Sequence, residues 1–325
     1  MDSRPTAADF SILALAMKSD VRLIEKDYYA TRVLQHAVRY ASSAESRYDL
    51  VFSGGTSLSK ATKFIERFSE DIDFLTIRKD GQAERDVPRT ERRAFRKAIL
   101  REIAADPAFE ITQPVRGGMG NIGGKAGSGF FSVDIDYVSA FEAHEALRGD
   151  KQRTFVQLEV NHERPLLQPK RTLVESLMSA AGGPEDGTTV LAVDPVEIAG
   201  TKITAISWRA LRHRTDRPLG GAYLRHVHDV AALAETIASQ PTDFVRAAQT
   251  AMASDIGRGR YGDWANRPPL ARFEAAVQVL SQRYFREAYE RFVEAVSYAQ
   301  PAARRSYGAA LGRFREAGAL AFGAL

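Results

Sequence analysis

Residues 51–74, VFSGGTSLSKATKFIERFSEDIDF, decide how the chain is read. The apolar run Leu50 to Ser53 predicts a short buried strand that Gly54-Gly55 breaks. Thr56 to Arg67 carries a helical pattern, and Asp71 to Ile77 predicts a second strand. Side chains alternate across a strand, so Asp71 and Asp73 share one face while Ile72 and Phe74 take the other. Two adjacent carboxylates repel each other, and a divalent cation relieves that repulsion. Gly54 and Gly55 leave room for a phosphate oxygen to approach the backbone, and the following helix start offers N–H groups. Thr56 and Ser57 add hydroxyl donors. The spacing is neither that of a P-loop nor of a dinucleotide-binding fingerprint. A phosphate-cradling turn beside a carboxylate pair is the minimal equipment for moving a nucleotide.

Outward from this stretch, residues 8–19 and 21–44 are expected to be helices. Leu23, Tyr28, Val33, Leu34, Ala37 and Val38 form the apolar stripe of the second. Residues 90–104 predict an amphipathic helix with Thr90 as N-cap and Phe95, Ala98, Ile99 and Ile103 on its core face. FEITQPV (109–115), Gly129 to Val138 and Arg153 to Glu163 read as further strands, with a glycine-rich connection after the first. From Asp194 onward the pattern is helical. The chain is therefore expected to be mixed α/β, with a first domain over 1–190 and a helical domain over 191–325. SAAGGPEDGTT (179–189) is the candidate linker.

The 325 residues suffice for a large core. No apolar run approaches the ~20 residues that span a bilayer, and the N-terminus lacks a basic signal-peptide region. With no cysteine there is neither a disulfide nor a thiolate zinc site, which fits a cytoplasmic protein. A net charge of +4 permits a nucleic-acid partner.

The third carboxylate of such a site has three candidates: Asp134, Asp136 and Glu159. Lys202 sits among apolar residues on a helix, so it either meets phosphate or snorkels to solvent. Arg67 either neutralises phosphate or pairs with Glu66 or Glu70. His226 and His228 do not share a helix face, which argues against zinc there. Arg92, Arg93, Arg96, Lys97 and Arg101 form one basic cluster, and Arg209, Arg212, Arg214 and Arg217 another. The C-terminal helices add Arg283, Arg286, Arg304, Arg305, Arg313 and Arg315, interleaved with Tyr284, Phe285 and Tyr307. Such runs track a phosphate backbone or form solvated helix faces.

Several of these stretches together resemble the AbiEii/AbiGii-type nucleotidyltransferase toxins, which include the mycobacterial MenT toxins. The resemblance is carried by IEKDYYATRVL (24–34), FSGGTSLSK (52–60), RFSEDIDF (67–74), VQLEVNHERPL (157–167), VDPVEIAGTKITAISWR (193–209) and RHVHDVAAL (225–233). It implies a DNA-polymerase-β-like nucleotidyltransferase core with a helical C-terminal domain. It also implies Mg²⁺ on Asp71 and Asp73 with Ser69 beside them, Lys60 and Lys202 on the nucleotide phosphates, and Asp229 completing the site. Glu159 falls where the family often has an acid, which favours it as the third metal ligand. The implied activity is transfer from a nucleoside triphosphate to an RNA acceptor, the 3′ end of tRNA in some members, opposite a cognate antitoxin. The chain departs from the pattern where HRTDRPLGGAYLRHVHD lengthens the stretch before Asp229 and places His228 ahead of it. Two other classes compete: a phosphohydrolase using the Asp134/Asp136 strand, and a protein that binds RNA or antitoxin without turnover.

Overall fold

A computed structural model describes residues 4–69, 71–83, 87–111, 129–141, 154–213 and 221–323. Two compact units emerge, and the chain interleaves them. The first comprises Met1–Thr62, Phe68–Pro165 and Pro169–Ala192; the second comprises Lys63–Arg67, Leu166–Gln168 and Val193–Leu325. The largest piece of the second unit begins at Val193.

The first unit is a seven-stranded mixed sheet with helices. Its strands are β1 (Tyr48–Ser53), β2 (Asp71–Arg78), β3 (Phe109–Glu110), β4 (Phe130–Tyr137), β5 (Phe155–Asn161), β6 (Lys170–Val174) and β7 (Thr188–Ala192), in the order β3-β4-β5-β2-β1-β7-β6. β2 runs parallel to β5 and β1 parallel to β7, while the other pairs are antiparallel. Helix α1 (Ala7–Met17) starts at a capping box between Thr6 and Asp9. Helix α2 (Val21–Ser42) buries Leu23, Tyr28, Val33, Leu34 and Ala37 at helical spacing, as its sequence pattern requires.

The structure differs from two local expectations. Helix α3 spans only Gly54–Lys60 and stops well short of Arg67. Lys63 turns the backbone with a φ of 56°. Beyond it the Glu66 carbonyl accepts from Ser297 Oγ (3.1 Å) and the Tyr298 N–H (3.1 Å), so this segment is held extended within the second unit. Helix α4 (Arg89–Ala104) begins one residue earlier than expected, with extended Pro88 at the N-cap, so Thr90 lies inside the first turn. The expected linker is turn and irregular backbone over 181–187. It contains part of the short helix α5 (Leu177–Ala180) and the start of β7, which pairs with the unforeseen β6. The arginine positions Arg214 and Arg217 and most of the glycine-rich connection lie outside the described residues.

The second unit is helical: α6 (Pro195–Leu211), α7 (Arg225–Ala232), α8 (Ala234–Ser239), α9 (Pro241–Gly257), α10 (Pro269–Leu280), α11 (Arg283–Val296) and α12 (Tyr307–Phe322). Asp194 caps α6 by accepting from the Val196 N–H, and Pro195 occupies its first turn. A Cβ on Gly200 would lie 2.7 Å from the Ala248 nitrogen, so glycine permits the close crossing of α6 and α9. The buried Glu197 carboxylate accepts from the Leu166 (3.0 Å) and Leu167 (2.8 Å) N–H groups, which ties that short segment to α6. No helix among the described residues is long and apolar enough to cross a membrane.

Candidate active site

The glycine turn and the acidic strand meet in the first unit. Ser53 at the end of β1 lies opposite Asp73 on β2, so the turn that follows β1 starts beside that carboxylate. Gly54 adopts a φ of +75°, and a Cβ there would fall 1.9 Å from Asp73 Oδ2. Only glycine combines that left-handed backbone with so close an approach. Thr56 Oγ1 donates to the Asp71 carbonyl, so this hydroxyl fastens α3 to β2 rather than standing ready for a ligand. Gly55, Thr56 and Ser57 are buried, and the Ser57 hydroxyl has no hydrogen-bond partner among the described residues.

Along β2 the alternation is clean. Asp71 and Asp73 are half-buried on one face, whereas Ile72 and Phe74 are buried on the other. In the parallel pairing with β5, Asp73 lies opposite Glu159 and Asp71 opposite Gln157. One strand further, Ser132 faces Glu159, Asp134 faces Gln157, and Asp136 faces Phe155. All of these residues therefore project from the same face, and register decides their order. Glu159 is the immediate neighbour of Asp73. Asp134 is two strands away from β2 in position and only 4 % exposed. Ser69 is half-buried just ahead of β2.

Lys60 ends α3 with its ammonium 2.6 Å from Asp27 Oδ1 on α2 and donates to the Glu175 carbonyl at 3.3 Å. The other oxygen of Asp27 accepts from the Leu177 N–H at 2.8 Å. Asp27 was not foreseen as a site residue. In the block IEKDYYATRVL it is one of two acids, with Glu25, and nothing local marks it out.

The second unit holds a separate buried charge cluster. Arg67 grips Asp229 with both arms of its guanidinium, Nε to Oδ1 at 2.9 Å and Nη2 to Oδ2 at 2.6 Å. Lys202 Nζ lies 2.8 Å from Oδ2, and His228 Nδ1 lies 3.1 Å from Oδ1. Arg67 is therefore buried against Asp229 rather than lying at the surface, and Lys202 does not snorkel: both are buried. Burial alone would raise the Asp229 carboxyl, but Arg67 and Lys202 outweigh it and hold the group well below the usual carboxylate range. Burial lowers the Lys202 ammonium from its ordinary value against the pull of Asp229. Burial and then the Lys202, Arg225 and Arg209 charges push His226 well down, keeping the imidazole neutral.

Among the described residues, no group of three or more His, Asp or Glu side chains converges on a point a metal could occupy. The donors on the β2 face nonetheless suit a hard cation. They are carboxylate oxygens, and Mg²⁺ is commonly held by one or two carboxylates together with substrate phosphates.

Comparison with known proteins supplies the family. No curated protein matches the chain in sequence. Among solved structures it is similar to MenT4, the nucleotidyltransferase toxin Rv2826c from Mycobacterium tuberculosis H37Rv. The TM-score is 0.55 at 16% identity, over 97% of this chain and 90% of that one, a likeness of fold. The profile of the family described as "Nucleotidyl transferase AbiEii toxin, Type IV TA system" matches residues 37–317, which take in both the β2 acids and the Asp229 cluster. The chain belongs to the AbiEii nucleotidyltransferase toxins of type IV toxin–antitoxin systems.

Proposed function

We propose that the chain transfers a nucleoside monophosphate from a nucleoside triphosphate to an RNA acceptor, most specifically the 3′ end of tRNA. One observation carries this reading: the Gly54 backbone packs directly against the Asp73 carboxylate, so the phosphate-cradling turn and the acidic face form one assembly. A hydroxyl oxygen of the acceptor attacks the α-phosphorus. The bond to the oxygen bridging the α- and β-phosphates breaks, pyrophosphate leaves, and the hydroxyl proton passes to a carboxylate of the same face.

Mg²⁺ held by Asp71 and Asp73, with Glu159 next in register, would supply charge neutralisation for the triphosphate. The register supports Glu159 over Asp134 as the third acid. Gly54, Gly55 and the buried Ser57 line the phosphate seat, and Ser69 borders it. Thr56 acts by locking α3 onto β2. Lys60 and Lys202 serve the phosphates. Both oxygens of Asp229 are taken by Arg67, Lys202 and His228, so Asp229 acts as a positioning residue for Lys202, and Arg67 acts with it. A cognate antitoxin opposes the activity, and the work is done in the cytoplasm.

The test is incubation of the protein with each labelled triphosphate, Mg²⁺ and total tRNA. Label should appear on RNA with wild type and vanish with Asp71→Ala, which should retain the wild-type melting temperature. Incorporation by that variant, or label on protein alone, defeats the reading.

A further inference from the structure

Two basic clusters that lie far apart in the sequence meet in the second unit. Helix α6 ends in Trp208 and Arg209, followed by Arg212 and His213, while α11 begins at Arg283 and Tyr284. The His213 ring lies 6.2 Å from that of Tyr284, the planes 28° apart, and 5.1 Å from Phe285 edge-on. The 3-10 turn Gly221–Leu224 brings in Tyr223. The Arg209 guanidinium carbon sits 4.4 Å from the Trp208 ring and 4.8 Å from Tyr223, and Arg260 lies 5.5 Å from the Trp208 ring.

Tyr223 and Tyr284 are 38 % and 40 % exposed. Arg212, Arg283 and Arg286 around them are exposed too. Trp208 Nε1 is a buried donor with no hydrogen-bond partner among the described residues. Half-exposed tyrosines flanked by arginines suit flat and negatively charged ligands. Bases stack on aromatic and guanidinium faces, and the arginines neutralise the phosphates between them.

We infer that this face is a stacking platform for single-stranded RNA, seated on Tyr223 and Tyr284. Its place in the reaction rests on the transferase reading. Lys202 is seven residues before Arg209 on α6 and therefore on the same side of the helix. The separation is about 10.5 Å of helix rise, or about three stacked nucleotides at 3.4 Å per residue. Arg209, which stacks on Tyr223, thus stands that distance along α6 from the lysine assigned to the phosphates.

The experiment measures anisotropy of a fluorescein-labelled, unstructured oligoribonucleotide bound to the full-length protein without triphosphate. Tyr223→Ala and Tyr284→Ala should each weaken binding about 5- to 100-fold. Tyr→Phe at either position should stay within about twofold of wild type, because the ring is the seat. Arg212→Ala should flatten the salt dependence by about 0.7 in the log–log slope.

Absence of RNA binding by the wild type overturns the inference. So does unchanged affinity in alanine variants that keep the wild-type melting temperature, or loss through arginine substitutions alone, which would mean bulk attraction without stacking. Binding that depends on the tyrosines with no label transfer from any triphosphate leaves the platform standing and defeats the transferase reading instead.

Discussion

Gly54→Ala offers the sharpest test of the assembly at the β1–β2 edge. The substitution carries two costs that a second glycine separates. The first is backbone strain: a non-glycine residue held at a φ of +75° loses about 1–2 kcal/mol. The second is contact with Asp73, whose Oδ2 would lie 1.9 Å from the new Cβ. Opening that gap to an ordinary contact near 3.4 Å moves the carboxylate by about 1.5 Å. A side chain swings aside at small cost in stability, but here the swing displaces an acid assigned to the reaction. Misplacement by about 1 Å can cost about 100-fold in rate, or about 2.7 kcal/mol of barrier. Gly81 shares the φ of +75° but has nothing within 4 Å of its imagined Cβ. Gly81→Ala should therefore lose the same ~1–2 kcal/mol in urea melts and keep full nucleotide incorporation. Gly54→Ala should lose similar stability and at least about 100-fold in kcat/KM. Wild-type incorporation by Gly54→Ala, or equal incorporation by both variants, would refute the argument that the turn and Asp73 act together.

Two further predictions concern buried charge. Burial, reinforced by Arg92, holds His162 near a pKa of about 4 instead of 6.5. The unfolded chain binds this proton first as pH falls, so stability declines from about pH 6.5 to about pH 4 and is unaffected by this group below that. At about 1.4 kcal/mol per unit the loss is about 3 kcal/mol, and His162→Phe should flatten that part of the stability curve in urea melts. Asp27→Ala leaves the Lys60 ammonium buried without its carboxylate and should cost about 3–5 kcal/mol. Asp27→Ala combined with Lys60→Met should recover much of this in the same melts, and a double variant as unstable as the single one would show the pair is not the cause.

Legibility of the sequence followed the range of the forces involved. The α2 stripe and the alternation of Asp71 and Asp73 with Ile72 and Phe74 are set by period alone, and both appear in the structure, save that Val38 at the end of the stripe is only half-buried. The glycine turn declared itself because a left-handed backbone lying this close to a carboxylate calls for glycine. What stayed hidden depends on partners distant in the chain. β6 and β7 are five residues each, with β6 largely exposed, so neither shows a strong period, and their pairing is what makes them strands. Helix α3 loses its second half because Glu66 and Arg67 find better partners at Ser297 and Asp229. The roles of Asp27 and of the Arg67–Asp229–Lys202 cluster were equally unreadable, since an isolated charge in sequence says nothing about which opposite charge will shield it from water.

The interleaved path of the chain limits how the protein can be dissected. A gene cut after the codon for Ala192 would leave the first fragment carrying residues 63–67, whose partners were encoded beyond the cut. Arg67 would then present a guanidinium with no Asp229 to receive it, on the very segment that leads into the strand bearing Asp71. Neither half is a self-sufficient cassette, so recombination that exchanges C-terminal halves between relatives must carry a matching Arg67 segment across with them.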